Sequence, residues 1–110
     1  MTQFHKHKYI QFLSDASKTG GGAVYESAAS QFSHGHNKSG GTEDNPHFKG
    51  FYDFSALCAG ATIDCAHLLM GGSADVCFNW AGGFHHAKTA EESGFCYVND
   101  LVLGILELLT

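Results

Sequence analysis

Val76-Cys77-Phe78-Asn79-Trp80 is the one stretch of this chain that reads as a strand buried on both faces, nearly continuous in apolar residues and bounded by Gly72-Ser73 and Gly82-Gly83. Helical patterns stand on either side of it. Before it, Phe51, Phe54, Cys58, Ala61, Cys65, Leu68 and Leu69 recur in steps of three and four, which predicts a helix over residues 52–70 stopped by Gly71-Gly72. Its remaining positions include Ala56, Ala59, Gly60 and Ala66, small enough for close approach to a flat sheet. After it, Val98, Leu101, Val102, Ile105, Leu108 and Leu109 keep helical spacing behind Asn99-Asp100, a pair suited to the N-cap. The order helix, strand, loop, helix predicts an α/β fold with a parallel sheet. A strand and crossover helix should lead to a further parallel strand, so one strand leaves that sheet unfinished. The chain therefore reads as a piece of a larger domain.

The rest of the sequence adds little core. Phe4, Tyr9, Phe12 and Leu13 suit a short amphipathic helix over residues 1–13, whereas residues 14–42 are rich in Gly, Ser, Ala and His and read as a long loop or insert. A hydrophobic fraction of 44% with 13% aromatic residues is that of a globular chain. The net charge is -5 and every one of the 6 cations is a lysine, so no guanidinium fork is available to grip phosphate. Direct nucleic-acid binding is not expected. No apolar run is long enough for a membrane span and the polar start Met1-Thr2-Gln3 lacks a signal-peptide core, so a soluble, intracellular protein is expected. Cys58, Cys65, Cys77 and Cys96 stand singly in apolar surroundings and read as reduced thiols, with Cys58 and Cys65 on one helix face.

Chemistry concentrates just past the predicted strand, where open α/β sheets place their ligands. Gly82-Gly83-Phe84-His85-His86 sets two imidazoles side by side, and the glycines supply the bend that lets both rings serve one site. Such a pair suits general acid and base work near neutral pH or metal ligation; polar surface or a satisfied core histidine is the plain alternative. Ser93-Gly94-Phe95-Cys96-Tyr97 follows closely, offering an aromatic wall for an apolar channel or packing for the last helix. Glu43-Asp44-Asn45-Pro46 is either a solvated turn or a carboxylate rim for a substrate backbone. His5-Lys6-His7 and His34-Gly35-His36 each offer two imidazoles, too few for a metal centre.

These residues carry a resemblance. Phe78-Asn79-Trp80-Ala81-Gly82-Gly83-Phe84-His85-His86-Ala87-Lys88, followed by Ser93-Gly94-Phe95-Cys96-Tyr97-Val98-Asn99-Asp100 and Leu103-Gly104-Ile105-Leu106-Glu107-Leu108, resembles class I zinc-dependent histone deacetylases. Residues 43–110 match best, residues 1–13 more thinly, and residues 14–42 look like an insert, so that 1–110 reads as one partial deacetylase domain. The resemblance implies part of a three-layer parallel-sheet α/β domain and hydrolysis of acetyl-lysine in histones. It makes His85 and His86 the catalytic pair, His86 for proton transfer and His85 for electrostatic support. Gly94 and Phe95 would line the acetyl-lysine channel, and Asp44 would hold the substrate backbone.

It further implies zinc as cofactor in the complete domain, with acetylated histone tails or other acetyl-lysine proteins as partners. A corepressor complex and a nuclear location, with cytoplasm as the alternative, belong to the same reading. The family's zinc ligands, an Asp-x-His pair and a further Asp, fall after the last helix, and no Asp-x-His occurs here, so no metal ligand is assigned in this chain. Asn45 stands where the family usually has Cys. The 110-residue chain alone is expected to be inactive, aggregated or molten, and without stoichiometric zinc. A non-catalytic interaction fragment and an acetylpolyamine-type amidohydrolase are the alternatives.

Overall fold

The structure, a computed structural model, describes residues 1–20 and 44–110. Helix α1 (His7–Thr19) turns Tyr9, Ile10, Phe12, Leu13 and Ala16 to one side, all buried. It ends at Gly20 with φ 76°, where a Cβ would stand 3.2 Å from the Lys49 backbone nitrogen. The predicted 1–13 helix is thus displaced: residues 1–5 form turns and the helix runs on through residues 14–19, which the sequence assigned to a loop. Packing explains the extra turn, because Ala16 continues the buried face and Ser17 receives the Tyr52 amide on its Oγ at 2.9 Å. The remainder of the expected 14–42 insert, from residue 21 on, lies outside the described residues, as does His34-Gly35-His36.

Helix α2 (Phe51–Met70) matches the predicted element closely, and the Gly71 amide closes it on the His67 carbonyl at 2.9 Å. Helix α3 (Asp100–Leu108) starts as expected at Asn99, whose Oδ1 accepts the Val102 amide at 3.0 Å. Helix α2 packs against α3, and no sheet meets it among the described residues. A Cβ on Gly104 would come within 2.8 Å of the Thr62 methyl, so a side chain there would force the helices apart. One cluster joins Tyr9, Leu13, Phe51, Ala59, Tyr97, Val98 and Leu103 into a core between the three helices.

The strand at 76–80 does not form. Val76, Phe78 and Trp80 are 70%, 72% and 91% exposed, and the segment pairs with nothing among the described residues. Two isolated antiparallel bridges, Lys88 with Glu91 and Ser93 with Cys96, are the β-pairing present there, so the expected parallel sheet is absent from the described residues. A strand buried on both faces needs hydrogen-bonded neighbours at its edges and helices above and below, and among the described residues it meets α2 through Asn79 but has no strand beside it. All four cysteines are free, Cys58 and Cys96 buried, Cys65 and Cys77 half-buried.

Candidate active site

The Gly82-Gly83-Phe84 turn is shaped by a carboxylate from α3. Asp100, almost fully buried, accepts the Phe84 amide at 2.7 Å, the Gly83 amide at 3.1 Å and the Thr62 hydroxyl at 2.6 Å. Gly82 lies so close over this cluster that a Cβ would stand 2.6 Å from Asp100 Oδ2 and 2.9 Å from Asn79 Nδ2. Asn79 Nδ2 in turn donates to the Cys58 carbonyl at 2.9 Å and to Thr62 Oγ1 at 2.8 Å. Three side chains, Thr62 from α2, Asp100 from α3 and Asn79 from the loop, therefore fix the turn with no β-ladder among the described residues.

His85 and His86 follow on that turn. Their ring centroids are 4.1 Å apart at 39°, and both side chains are open to solvent. His85 Nδ1 lies 3.1 Å from the Gly83 carbonyl, a contact in which Nδ1 donates. Asn99 does more than cap α3: its Nδ2 donates to the His85 carbonyl at 3.1 Å and to the Ala87 carbonyl at 3.0 Å. Its backbone amide donates to His5 Nε2 at 3.0 Å, and His5 Nδ1 donates to the Lys88 carbonyl at 2.8 Å. Burial holds the His5 imidazole below its ordinary range, which keeps it neutral, the state in which one nitrogen donates and the other accepts.

Gly94 packs directly on His86, with φ 50° and space so tight that a Cβ would be 2.8 Å from His86 Cγ. Phe95 adopts φ 65°, unusual for a bulky residue, and holds its ring out at 69% exposure. The strain is met by Asn45, whose Oδ1 accepts the Phe95 amide at 3.1 Å and whose Nδ2 donates to the Cys96 carbonyl at 3.0 Å. Beside it lies an apolar cavity of about 230 Å³ lined by Asp44, Pro46 and Phe48 of one segment, Phe95 and Tyr97 of another, and Phe54, Ser55 and Phe84. Tyr97 donates its hydroxyl to the Pro46 carbonyl, and Tyr9 donates to the Tyr97 carbonyl at 2.6 Å. Burial first, and Glu92 after it, pushes both tyrosines up, so both remain donors.

Of the five residues singled out from the sequence, His85, His86 and Gly94 thus form one contact group, and Asp44 and Phe95 share the cavity rim. Asp100, His5 and Asn45 were noticed in the sequence for other reasons, and their roles in holding these loops, like that of Asn79, escaped it. Asn45 carried a usable signal, since a turn-forming side chain before proline often bonds to backbone. No group of three or more His, Cys, Asp or Glu side chains able to hold a metal ion occurs among the described residues. Both ring nitrogens of His5 are already engaged with backbone.

The histone deacetylase domain model matches residues 1–110. The chain belongs to the histone deacetylase domain family. It is 44% identical over 109 residues to histone deacetylase HDAC1 of Drosophila melanogaster, covering 99% of this chain and 19% of that protein. It is 42% identical over 109 residues to histone deacetylase clr6 of Schizosaccharomyces pombe, covering 99% and 25%. With histone deacetylase 8 of Danio rerio it shares 44% over 108 residues, covering 98% and 26%. The chain spans about a fifth to a quarter of the length of the relatives it matches. Family membership carries an α/β fold, to which the described residues contribute the helices and the loops between them. No helix of the described residues is long and apolar enough to cross a membrane.

Proposed function

We propose that these residues form the proton-transfer and rim portion of a class I, zinc-dependent histone deacetylase site, in a domain with a central parallel sheet and a helical layer on each face. The observation that carries the reading is the His85–His86 contact at 4.1 Å on a turn clamped by Asp100 and Asn99. A base and an acid for amide hydrolysis must be held within reach of one carbonyl, and here backbone bonds on both sides of the pair supply the holding. His86, seated on Gly94 with an exposed ring, is the group that moves protons. His85, tied through Nδ1 to Gly83, supports charge at the reacting carbon. Gly94 and Phe95 edge the channel for the acyl-lysine side chain, and Asp44 accepts amide donors of the substrate backbone.

Zinc is the cofactor implied for the whole domain. The described residues do not fit a zinc site by themselves, since no three His, Cys, Asp or Glu side chains converge among them. Acetylated histone tails or other acetyl-lysine proteins as substrates, a corepressor assembly, and a nuclear location with cytoplasm as the alternative belong to this reading.

The test is a chimaera in which these 110 residues replace the matching segment of a full-length relative, assayed by acetate release from an acetyl-lysine peptide. His86→Ala is expected to lower kcat by roughly 10²- to 10⁴-fold. An H86A chimaera with the parent's kcat would contradict the assignment. Asp44→Asn is expected to reduce kcat/KM by roughly 1.5–3 kcal/mol, the worth of a hydrogen bond to a charged group. An unchanged kcat/KM would return Asp44 to a solvated turn.

A further inference from the structure

Exposure alternates cleanly over residues 44–48, which lie outside any helix: Asp44, Pro46 and Phe48 are exposed and line the cavity, while Asn45 and His47 are buried. A non-helical segment with this alternation is ordinarily located by the backbone ladder of a sheet. This one has no strand partner among the described residues, so its position depends on side chains. Asn45 reaches the Phe95 amide and the Cys96 carbonyl. His47 reaches further back: its Nε2 lies 2.9 Å from both Oε1 and Oε2 of Glu92, and both side chains are fully enclosed. The imidazole stacks on Phe51 at 4.7 Å and 14°, which fixes its plane, and its Nδ1 is buried with no hydrogen-bond partner among the described residues.

That geometry selects a role. Nε2 must carry a proton to donate to the carboxylate, and a bare Nδ1 lone pair facing aromatic rings costs less than a buried, unpaired N–H would. A polar pair enclosed in an aromatic core is a poor way to gain stability compared with apolar side chains of the same volume. Its distinctive product is a fixed relation between two chain segments. Glu92 sits immediately before the Ser93–Cys96 bridged turn that carries Gly94 and Phe95, and His47 sits between the rim residues Pro46 and Phe48.

We infer that His47 and Glu92 are positioning residues, a buried tie that sets the gap between the Asp44 wall and the Phe95 wall of the cavity. The inference deepens the reading of Asp44 and Phe95 as the rim of an acyl-lysine channel, but the tie itself is measurable without a substrate.

The experiment is hydrogen exchange read by mass spectrometry on the full chain, comparing a peptide spanning residues 93–98 with one from α3. His47→Phe keeps the stack on Phe51 and removes the tie. It is expected to speed exchange in the 93–98 peptide by roughly fivefold to tenfold, the loss of about one net hydrogen bond, with α3 exchange changed much less. Glu92→Gln keeps an acceptor for Nε2 and is expected to exchange within about twofold of the unaltered chain. Because H47F leaves the buried Glu92 carboxylate without His47, the double variant H47F/E92L serves where H47F does not fold. It replaces the pair by apolar groups and is expected to keep α3 protected while the 93–98 peptide still exchanges faster. Equal acceleration of both peptides in these variants, or unchanged 93–98 exchange in H47F/E92L, would overturn the inference. Addition of Nε-acetyl-lysine amide to the unaltered chain is the separate arm: absence of added protection at residues 93–98 counts against the rim reading alone.

Discussion

Residues 93–99 and residues 76–80 are both short, aromatic and outside any helix, yet Cys96, Tyr97, Val98 and Asn99 are buried while Val76, Phe78 and Trp80 lie open. Partners account for the difference. In the first segment the Phe95 amide and the Cys96 carbonyl meet Asn45, the Tyr97 carbonyl meets the Tyr9 hydroxyl, and the Asn99 amide meets His5. In the second, Asn79 is anchored to Cys58 and Thr62, and the apolar side chains around it stack on one another, Phe78 on Trp80 at 5.6 Å. Apolar content alone does not bury a segment. Its backbone polar groups must first be satisfied, and for 93–99 side chains do that, beside the single Ser93–Cys96 bridge, with no longer ladder among the described residues.

The comparison breaks most severely at Asp100. Asp100→Ala leaves two part-buried amides and a hydroxyl without their buried acceptor, and a loss on the order of 3–5 kcal/mol is expected in urea unfolding, with the 82–87 turn becoming as open as 76–80. A loss under about 1 kcal/mol would show that water replaces the carboxylate readily. Gly94→Ala comes next, at about 1–3 kcal/mol, because a Cβ at φ 50° meets His86 Cγ at 2.8 Å. The His86 ring resonances should shift while those of His67 on α2 stay in place.

His5 gives a smaller, pH-dependent effect. Burial lowers its folded-state proton affinity, so the unfolded chain takes up the proton first. The His5 contribution is therefore present above its ordinary pKa of about 6.5 and is lost as pH falls below that value. Stability measured against pH should drop in that window by at most about 1.4 kcal/mol per pH unit from this group, and His5→Gln should flatten the drop. An identical profile in the variant would remove His5 from the account.

Helices α2 and α3 were legible because their apolar period is long and their caps are local, Gly71 for one and Asn99 for the other. The C-terminal turn of α1 was not, since Ser14, Asp15 and Ser17 look like loop until Ala16 and Ser17 find α2. The run at 76–80 announces that it needs burial and says nothing of what covers it, which is why it read as a strand. In the site, adjacency and glycines revealed His85 and His86. Asp100, acting 16 and 17 residues back, and His5, 83 and 94 residues from its two partners, leave no local trace. The acidic cluster drew notice to Asp44, whereas the doubly bonded side chain is its neighbour Asn45.

The smallest expected change in stability comes from the open segment. Phe78→Ser with Trp80→Ser should alter unfolding by no more than about 0.5 kcal/mol, as for other surface positions. The same pair should reduce self-association in sedimentation velocity, because exposed contiguous apolar surface promotes association. A large loss of stability would mean that the stacked rings are part of the core.

Hydrogen exchange along the unaltered chain bears most directly on the claim that side-chain bonds substitute for a sheet around the His pair. Amides at residues 83, 84, 95 and 102, each bonded to Asp100, Asn45 or Asn99, are expected to exchange slowly, near the rate of the helical core. Amides at residues 76–78 and 80 should exchange at nearly the rate of an unstructured peptide. Equal rates in the two groups, or slower exchange at 76–80, would contradict the account.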